Sequence, residues 1–381
     1  MIEKAAKLLD VKENELKEFE QEDVFNDNIL KGVICRRCDN RYGTLILFQI
    51  NEEETEQIIY CTPKIKYPFD KNGDYRWPDG IDELRAWSKL DGTNVCAYHY
   101  DYKGKDYVTY KTRLKPVIVD GKYGKFFSMW KELLNSQDWI VKLINSNPDY
   151  NLSFELYGSR NPITIKYDIP LATAFLFGIR RIDSAIKPPS EFTSIFGRSD
   201  GEWKVSKSFA MFGENSTMKY QNLRGDFNLE NTDELKTEGA VFYAHIRLDP
   251  SWKMFKCKPE QIEAIHWASG GIPKNALWTS AVNLFEDIDN PTIEDYKELL
   301  KEEFTETQII KSINKVTKMF DKAKEHMELV EKVNSAWIEA KQAGFDIYYN
   351  KRGTMVWLSQ FFNKKDMGKV GTIVLKQAGL L

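Results

Sequence analysis

The chain has 381 residues, 42% hydrophobic and 13% aromatic, which excludes a disordered polymer and leaves room for one large domain plus a smaller one. A net charge of −3 and a pI near 6.0 exclude attraction of polynucleotides by overall charge, so any such partner needs a local basic surface. No run approaches the roughly 18 apolar residues of a spanning helix, and Met1-Ile2-Glu3-Lys4 opens on charge rather than an apolar signal core, so no membrane association and a cytoplasmic location are expected.

Residues 1–25 place Ala5, Leu8, Leu9, Val11 and Leu16 at helical spacing among Glu and Lys, which predicts a helix. Strand-length apolar runs follow at 43–50 and 57–62, then an aromatic, turn-rich stretch from Tyr67 to Pro78. These elements read as a mixed α and β extension over 1–84. The five cysteines, Cys35, Cys38, Cys61, Cys96 and Cys257, are odd in number and scattered, unlike a disulfide framework. Cys35-Arg36-Arg37-Cys38 has half the spacing of a zinc ribbon with no second pair to complete it, so ordinary thiols are the first reading and a metal site the second.

From Trp87 to Pro259 the pattern is short apolar or alternating runs broken by Gly, Asn, Asp and Pro, which predicts antiparallel strands with a few inserted helices. Strands are expected at 95–100 and 106–111, joined as a hairpin over 101–105, and at 151–157, 172–179, 239–246 and 252–258; helices are expected at 126–134 and 139–144. After Pro259 the chain turns helical. Thr292 with Asp295, and Thr305 with Gln308, mark two helix starts. Ile309, Ile313, Val316, Phe320, Ala323, Met327 and Val330 then alternate by fours and threes, predicting one long amphipathic helix that stops near Gly344. Its seam packs within the chain, giving a monomer, or between copies, giving a homodimer. Two short helices follow at 354–362 and 365–381, with Lys351-Arg352 and Lys364-Lys365 as basic pairs whose ordinary reading is solvated charge and whose second reading is contact with phosphates. The domains are therefore expected to be 1–265 and 266–381.

The chemistry is carried by polar residues that interrupt the predicted strands. Lys89-Leu90-Asp91-Gly92-Thr93-Asn94 reads as a tight turn that holds an amine at a sheet edge. Alone it is ordinary turn chemistry. It is followed in order by Lys111-Thr112-Arg113, by Phe154-Glu155 with its carboxylate inside an apolar run, by Phe175-Leu176-Phe177-Gly178, by Glu238-Gly239, and by Lys256-Cys257-Lys258.

That series resembles the covalent nucleotidyltransferase superfamily of ATP-dependent ligases and mRNA-capping enzymes over about residues 85–260. Lys89-x-Asp91-Gly92 is similar to its motif I, Thr112-Arg113 to motif Ia, Phe154-Glu155-x-x-Gly158 to motif III, Phe175 to Gly178 to motif IIIa, Glu238-Gly239 to motif IV, and Lys256-x-Lys258 to motif V. Within the superfamily the text around Asn94 and the helical C-terminus resemble phage-type RNA ligases, where DNA ligases and capping enzymes usually carry Arg at that position and a β-barrel after motif V. One departure is that Trp87 and Ser88 stand where many ligases place an adenine-reading glutamate.

The resemblance implies an α+β protein: an ATP-grasp-like ligase domain of antiparallel sheets with flanking helices, followed by an all-helical domain. It implies ATP and Mg²⁺ or Mn²⁺ as cofactors and RNA with 5′-phosphate and 3′-hydroxyl ends as partner, with a phage- or virus-encoded source in keeping. Lys89 is the implied nucleophile, which must react as a neutral amine. Lys256 and Lys258 stabilise the attacked phosphate, and Glu238 offers a hard oxygen to the metal. Glu155 is assigned to the ribose, Arg113 to ribose or phosphate, and Phe177 to stacking on adenine, with Asp91, Gly92 and Asn94 completing the nucleotide pocket. The alternatives are a capping-type guanylyltransferase or DNA ligase, or an RNA-end-binding protein without catalysis, for which the lysines and Glu238 have no use.

Overall fold

The computed structural model describes residues 1–37, 39–70, 73–120, 125–161, 163–192, 205–232, 234–260, 262, 272, 274–288, 290–301, 304 and 306–378. Cys38, Thr305 and the domain boundary expected after 265 lie outside these residues. The chain is α+β and divides into two compact units, Met1–Gly270 with Lys301–Phe304, and Gly271–Leu300 with Thr305–Leu381.

Among its described residues the first unit holds three antiparallel sheets. One is a meander of β1 (Leu16–Asp23), β2 (Asn28–Cys35), β3 (Leu45–Ile50) and β4 (Glu53–Ile59). The helix expected across 1–25 is only α1 (Ile2–Leu9), closed by Asp10 in the left-handed region at φ 51°. Residues 16–23 form a strand because β2 beside them is apolar and buried and offers a full ladder of backbone partners. That pairing overrides the weak helical preference of Glu and Lys in Leu16–Asp23. α1 covers the outer face through Ala5 and Leu9 against Val33, Cys35 and Ile46.

The second sheet is built from β6 (Thr93–Tyr102), β7 (Lys105–Lys111), β8 (Tyr150–Tyr157), β9 (Ala172–Arg180) and β10 (Ile186–Lys187), in the order β10-β9-β8-β6-β7. The expected hairpin joins β6 to β7. On one face α2 (Phe126–Ser136) and α3 (Asp138–Asn145) bury Met129, Trp130, Leu133, Ile140, Leu143 and Ile144 against Val95, Leu152, Phe154 and Phe175.

The third sheet takes β5 (Ile81–Ser88), β11 (Ser208–Phe209), β12 (Ala240–Ile246) and β13 (Lys253–Cys257) in the order β11-β5-β12-β13. α4 (Ser216–Glu230) packs Tyr220, Leu223 and Phe227 on Ala86, Phe242 and Cys257. The inner faces of all three sheets share one core that includes Leu45, Leu47, Trp87, Tyr98, Phe177, Val241 and Tyr243. Burial of this aromatic and aliphatic surface, at ~25 cal/mol per Å², holds the sheets together.

The second unit, among the described residues, is helical: α5 (Lys274–Asp287), α6 (Ile293–Leu300), α7 (Glu306–Lys311), α8 (Ile313–Gln342), α9 (Lys351–Leu358) and α10 (Met367–Gln377). Thr292 caps α6 as its sequence predicts, with its N–H and hydroxyl both donating to Asp295 Oδ2 at 2.8 Å. The long amphipathic helix starts at Ile313 rather than Ile309, since Ser312 at φ −100°, ψ 9° breaks the helical run between α7 and α8. α8 buries Val316, Phe320, Ala323, Met327, Val330, Val333, Ala336 and Ala340 and stops before Gly344, where φ is 83°. Among the described residues no helix is long and apolar enough to cross a membrane.

Candidate active site

Lys89 directly follows β5, and strand register carries it to its partners. Ser88 pairs with Ala240 of β12, Lys89 N–H donates to the Gly239 carbonyl at 2.9 Å, and Ala240 pairs on its other side with Cys257 of β13. The ends of β5, β12 and β13 thus lie side by side, with Lys89, Glu238, Lys256 and Lys258 at one edge. Gly239 permits this approach: its φ is 119°, and a Cβ there would stand 1.9 Å from the Cys257 carbonyl oxygen.

Glu238 joins two amines. Lys89 Nζ donates to its Oε2 at 2.6 Å, and Lys258 Nζ lies 3.1 Å from its Oε1. Glu238 and Lys258 are 7% and 3% exposed, whereas Lys89 keeps 25%, so Lys89 is the member of the trio that reaches solvent. Burial pushes the Glu238 carboxyl up, but the charges of Lys89 and Lys258 outweigh it and hold the group below the usual carboxylate range. Lys256, two residues before Lys258 and on the same side of β13, is buried with its ammonium 4.5 Å from the Tyr67 ring centroid.

The second sheet contributes the facing wall. Asp91, buried, accepts the N–H groups of Thr164 and Ile165 on Oδ2 at 2.5 and 2.6 Å, and its own N–H donates to Tyr167 Oη at 2.9 Å. It thereby ties the turn after Lys89 to the 158–170 loop. At Gly92 a Cβ would meet the Leu156 carbonyl oxygen at 2.2 Å, so β6 begins hard against β8. Asn94 Nδ2 donates to Ser153 Oγ at 2.9 Å and to the Phe154 carbonyl at 3.1 Å, and Ser153 Oγ meets Thr62 Oγ1 at 3.0 Å.

Glu155 sits opposite Asn94 in the ladder. Burial raises its carboxyl to about 8, with the charge of Lys89 opposing and that of Glu238 adding to the shift. Asp91 is raised too, by burial first and the Glu238 charge second. Arg113, whose guanidinium lies 5.6 Å from the Tyr42 ring centroid, is close enough to favour ionised Glu155. Phe177 pairs with Ser153 on the same face of the second sheet but is 1% exposed, its ring 6.4 Å from that of Tyr243.

Of the residues singled out in the sequence, Lys89, Glu238 and Lys258 are in direct contact, Asp91 and Arg113 each act electrostatically on Glu155, and Lys256 shares their edge. The Asn94 amide and the Phe177 ring are turned into the protein. Tyr67, Ser153, Tyr167 and the backbone donors at 164 and 165 were not singled out. Ser153 lies in an apolar run where only its polarity marks it, and a backbone donor leaves no mark in a sequence.

Among the described residues no three His, Cys, Asp or Glu side chains gather to hold a metal ion. Glu238 nonetheless suits a divalent cation as a single hard donor: it is held ionised, and magnesium sites of this kind take one or two carboxylates and complete their shell with phosphate oxygens and water. Cys35 is buried, and its thiol is pushed up to about 11, mainly by that burial, which makes it a poor ligand unless a metal displaces the proton.

No protein-family model matches the sequence, and no curated protein matches it. Solved structures with a related arrangement include an archaeal ATP-dependent RNA ligase of form 1, 15% identical with a TM-score of 0.46, the match covering 84% of this chain and 76% of that one. A protein described as an ATP-dependent DNA ligase of Aquifex aeolicus is 13% identical with a TM-score of 0.47 over the whole of both chains. A variant of the Naegleria gruberi RNA ligase with AMP and manganese is 13% identical with a TM-score of 0.34, covering 47% of this chain and 50% of its own. Likeness at this level assigns no chemistry to the chain.

Proposed function

We propose that the chain is an ATP-dependent RNA ligase that joins a 5′-phosphate to a 3′-hydroxyl through a lysyl-AMP intermediate on Lys89. The observation that supports this most is the buried carboxylate of Glu238 held between Lys89 Nζ at 2.6 Å and Lys258 Nζ at 3.1 Å. It places a semi-exposed amine, a fixed cation and a hard oxygen donor within one hydrogen-bonded group, on residues whose order matches the nucleotidyltransferase motifs.

In the first step Lys89, released from Glu238 and from one proton, attacks the α-phosphorus of ATP. The N–P bond forms as the bond to the β-bridging oxygen breaks, and pyrophosphate leaves with that electron pair. Glu238 Oε2 is the hydrogen-bond partner through which the proton can depart. Lys256 and Lys258 offset charge on the phosphate oxygens, where a pre-placed cation in a water-poor site is most effective. A divalent cation on Glu238 would add Lewis-acid charge neutralisation at the same phosphates. In the second step an oxygen of the RNA 5′-phosphate attacks the lysine-bound phosphorus and Lys89 leaves, regaining a proton. In the third the 3′-hydroxyl attacks the activated 5′-phosphorus and AMP departs.

Glu155, its carboxyl raised to about 8, is mostly protonated at neutral pH, so it can donate to as well as accept from a ribose hydroxyl. Incubation with α-labelled ATP or GTP and a denaturing gel tests the proposal: label from ATP and not GTP is expected, label from GTP alone would make it a capping-type enzyme, and no label would remove the catalytic reading.

A further inference from the structure

The second unit carries a surface of a different kind. Residues 341–369 contain six Lys and Arg against two Asp, a net charge of +4 in a chain whose total is −3, and six aromatic residues. Lys351, Arg352, Lys364 and Lys365 are exposed, and among the described residues none of them makes an ion pair. An unpaired cation on a protein surface is common, and here four of them lie in sequence on either side of a row of rings. Phe345, Trp357 and Phe361 follow one another at centroid distances of 6.3 and 4.6 Å. Phe361 is 50% exposed and Tyr349 90%.

The fold produces this arrangement. α9 is eight residues long, about 12 Å, and it turns Thr354 and Leu358 inward. Lys351 and Arg352 stand at its start, and the turn to α10 brings Lys364 and Lys365 beyond its end, with Trp357 and Phe361 between. Cations at both ends of an aromatic row match the chemistry of a single-stranded polynucleotide, whose phosphates pair with Lys and Arg while its bases stack on exposed rings. A duplex would hide the bases from these rings, and an acidic peptide would have no use for them.

We infer that α9, the turn after it and the start of α10 form a docking surface for single-stranded RNA or DNA. The surface goes beyond the Lys89 chemistry and does not depend on it.

The test is fluorescence anisotropy of the full chain with a labelled 20-nucleotide strand bearing 5′-hydroxyl and 3′-blocked ends, as RNA and as DNA, across a salt series. The variant carrying Lys351→Ala, Arg352→Ala, Lys364→Ala and Lys365→Ala should bind at least tenfold more weakly, with its salt slope shallower by about 3. Phe361→Ala and Tyr349→Ala should each weaken binding by about tenfold with little change in slope. Lys89 self-labelling with ATP, measured in the same preparations, should stay at the wild-type level and reports intact folding. If the fourfold variant binds both strands with unchanged affinity and slope, the surface is not a polynucleotide site. If it loses sedimentation with phosphatidylserine vesicles instead, the cations serve a membrane and the inference falls. Failure of wild-type self-labelling would overturn the ligase reading and leave this binding result standing.

Discussion

Two walls meet at Lys89, and they treat their acids in opposite ways. On the third sheet, Glu238 is buried yet ionised, because two ammonium groups more than repay its desolvation. On the second sheet, Glu155 is equally enclosed, and with no ammonium in direct contact its carboxyl rises to about 8. Burial alone therefore does not decide the state of an acid here; the strand across from it does. The third sheet supplies fixed charge, and the second supplies a group that changes charge near neutral pH. The reaction proposed above, which first attracts a nucleotide's phosphates and then handles its sugar, has use for both.

The sharpest way to break this contrast is Lys89→Ala. Self-labelling from ATP should fall to background while sealing of RNA that already carries a 5′-adenylate survives, since the amine takes part in the first two steps and not in the third; a labelled mutant band would show that another residue is the nucleophile. Next in size is Lys258→Ala, which leaves Glu238 one cation short. Single-turnover labelling should slow about 10² to 10³-fold, and the gel-measured rate should recover in part with Lys258→Arg.

Glu155→Gln probes the other wall. A carboxyl raised above its unfolded value near 4.3 adds its stability at acid pH and loses it as pH climbs through about 8. The wild type should therefore lose ground to the Gln variant between pH 5 and 8.5, by about 3 °C or more in the difference of their calorimetric Tm values. A constant difference across that range would mean that Glu155 does not titrate there. The smallest effect is Phe177→Leu: a buried ring replaced by a smaller side chain should lower stability by about 1 kcal/mol in urea unfolding, with labelling from ATP reduced less than tenfold.

The two walls were legible to different degrees. The order of motifs along the chain gives Lys89, Glu155, Glu238, Lys256 and Lys258, and the strands at 95–100, 106–111, 151–157, 172–179 and 239–246 are plain from their apolar runs. β5, the strand that delivers Lys89, is not. Its Asp82, Glu83 and Arg85 mask the pattern; Glu83 accepts from Arg85 within the strand, while Asp82 finds His245 at 2.7 Å and Arg85 finds Ser190 only through the fold. The segment at 16–23 reads as helix because Leu16 continues the helical spacing of the residues before it and Glu and Lys favour a helix weakly, and its pairing with β2 is a contact no local pattern announces. The anchoring of Asp91 by the amides at 164 and 165 is invisible for the same reason: any residue can supply a backbone N–H.

The trio of Lys89, Glu238 and Lys258 carries two positive charges and one negative. Deprotonating Lys89 brings it to electrical balance, with Lys258 still tethered to the carboxylate at 3.1 Å. In the proposed reaction the neutral amine is therefore the state in which the remaining Glu238–Lys258 pair is balanced by itself. On that proposal Lys89 would leave behind it a Glu238–Lys258 pair already joined at 3.1 Å, as a door moves while its frame stays put.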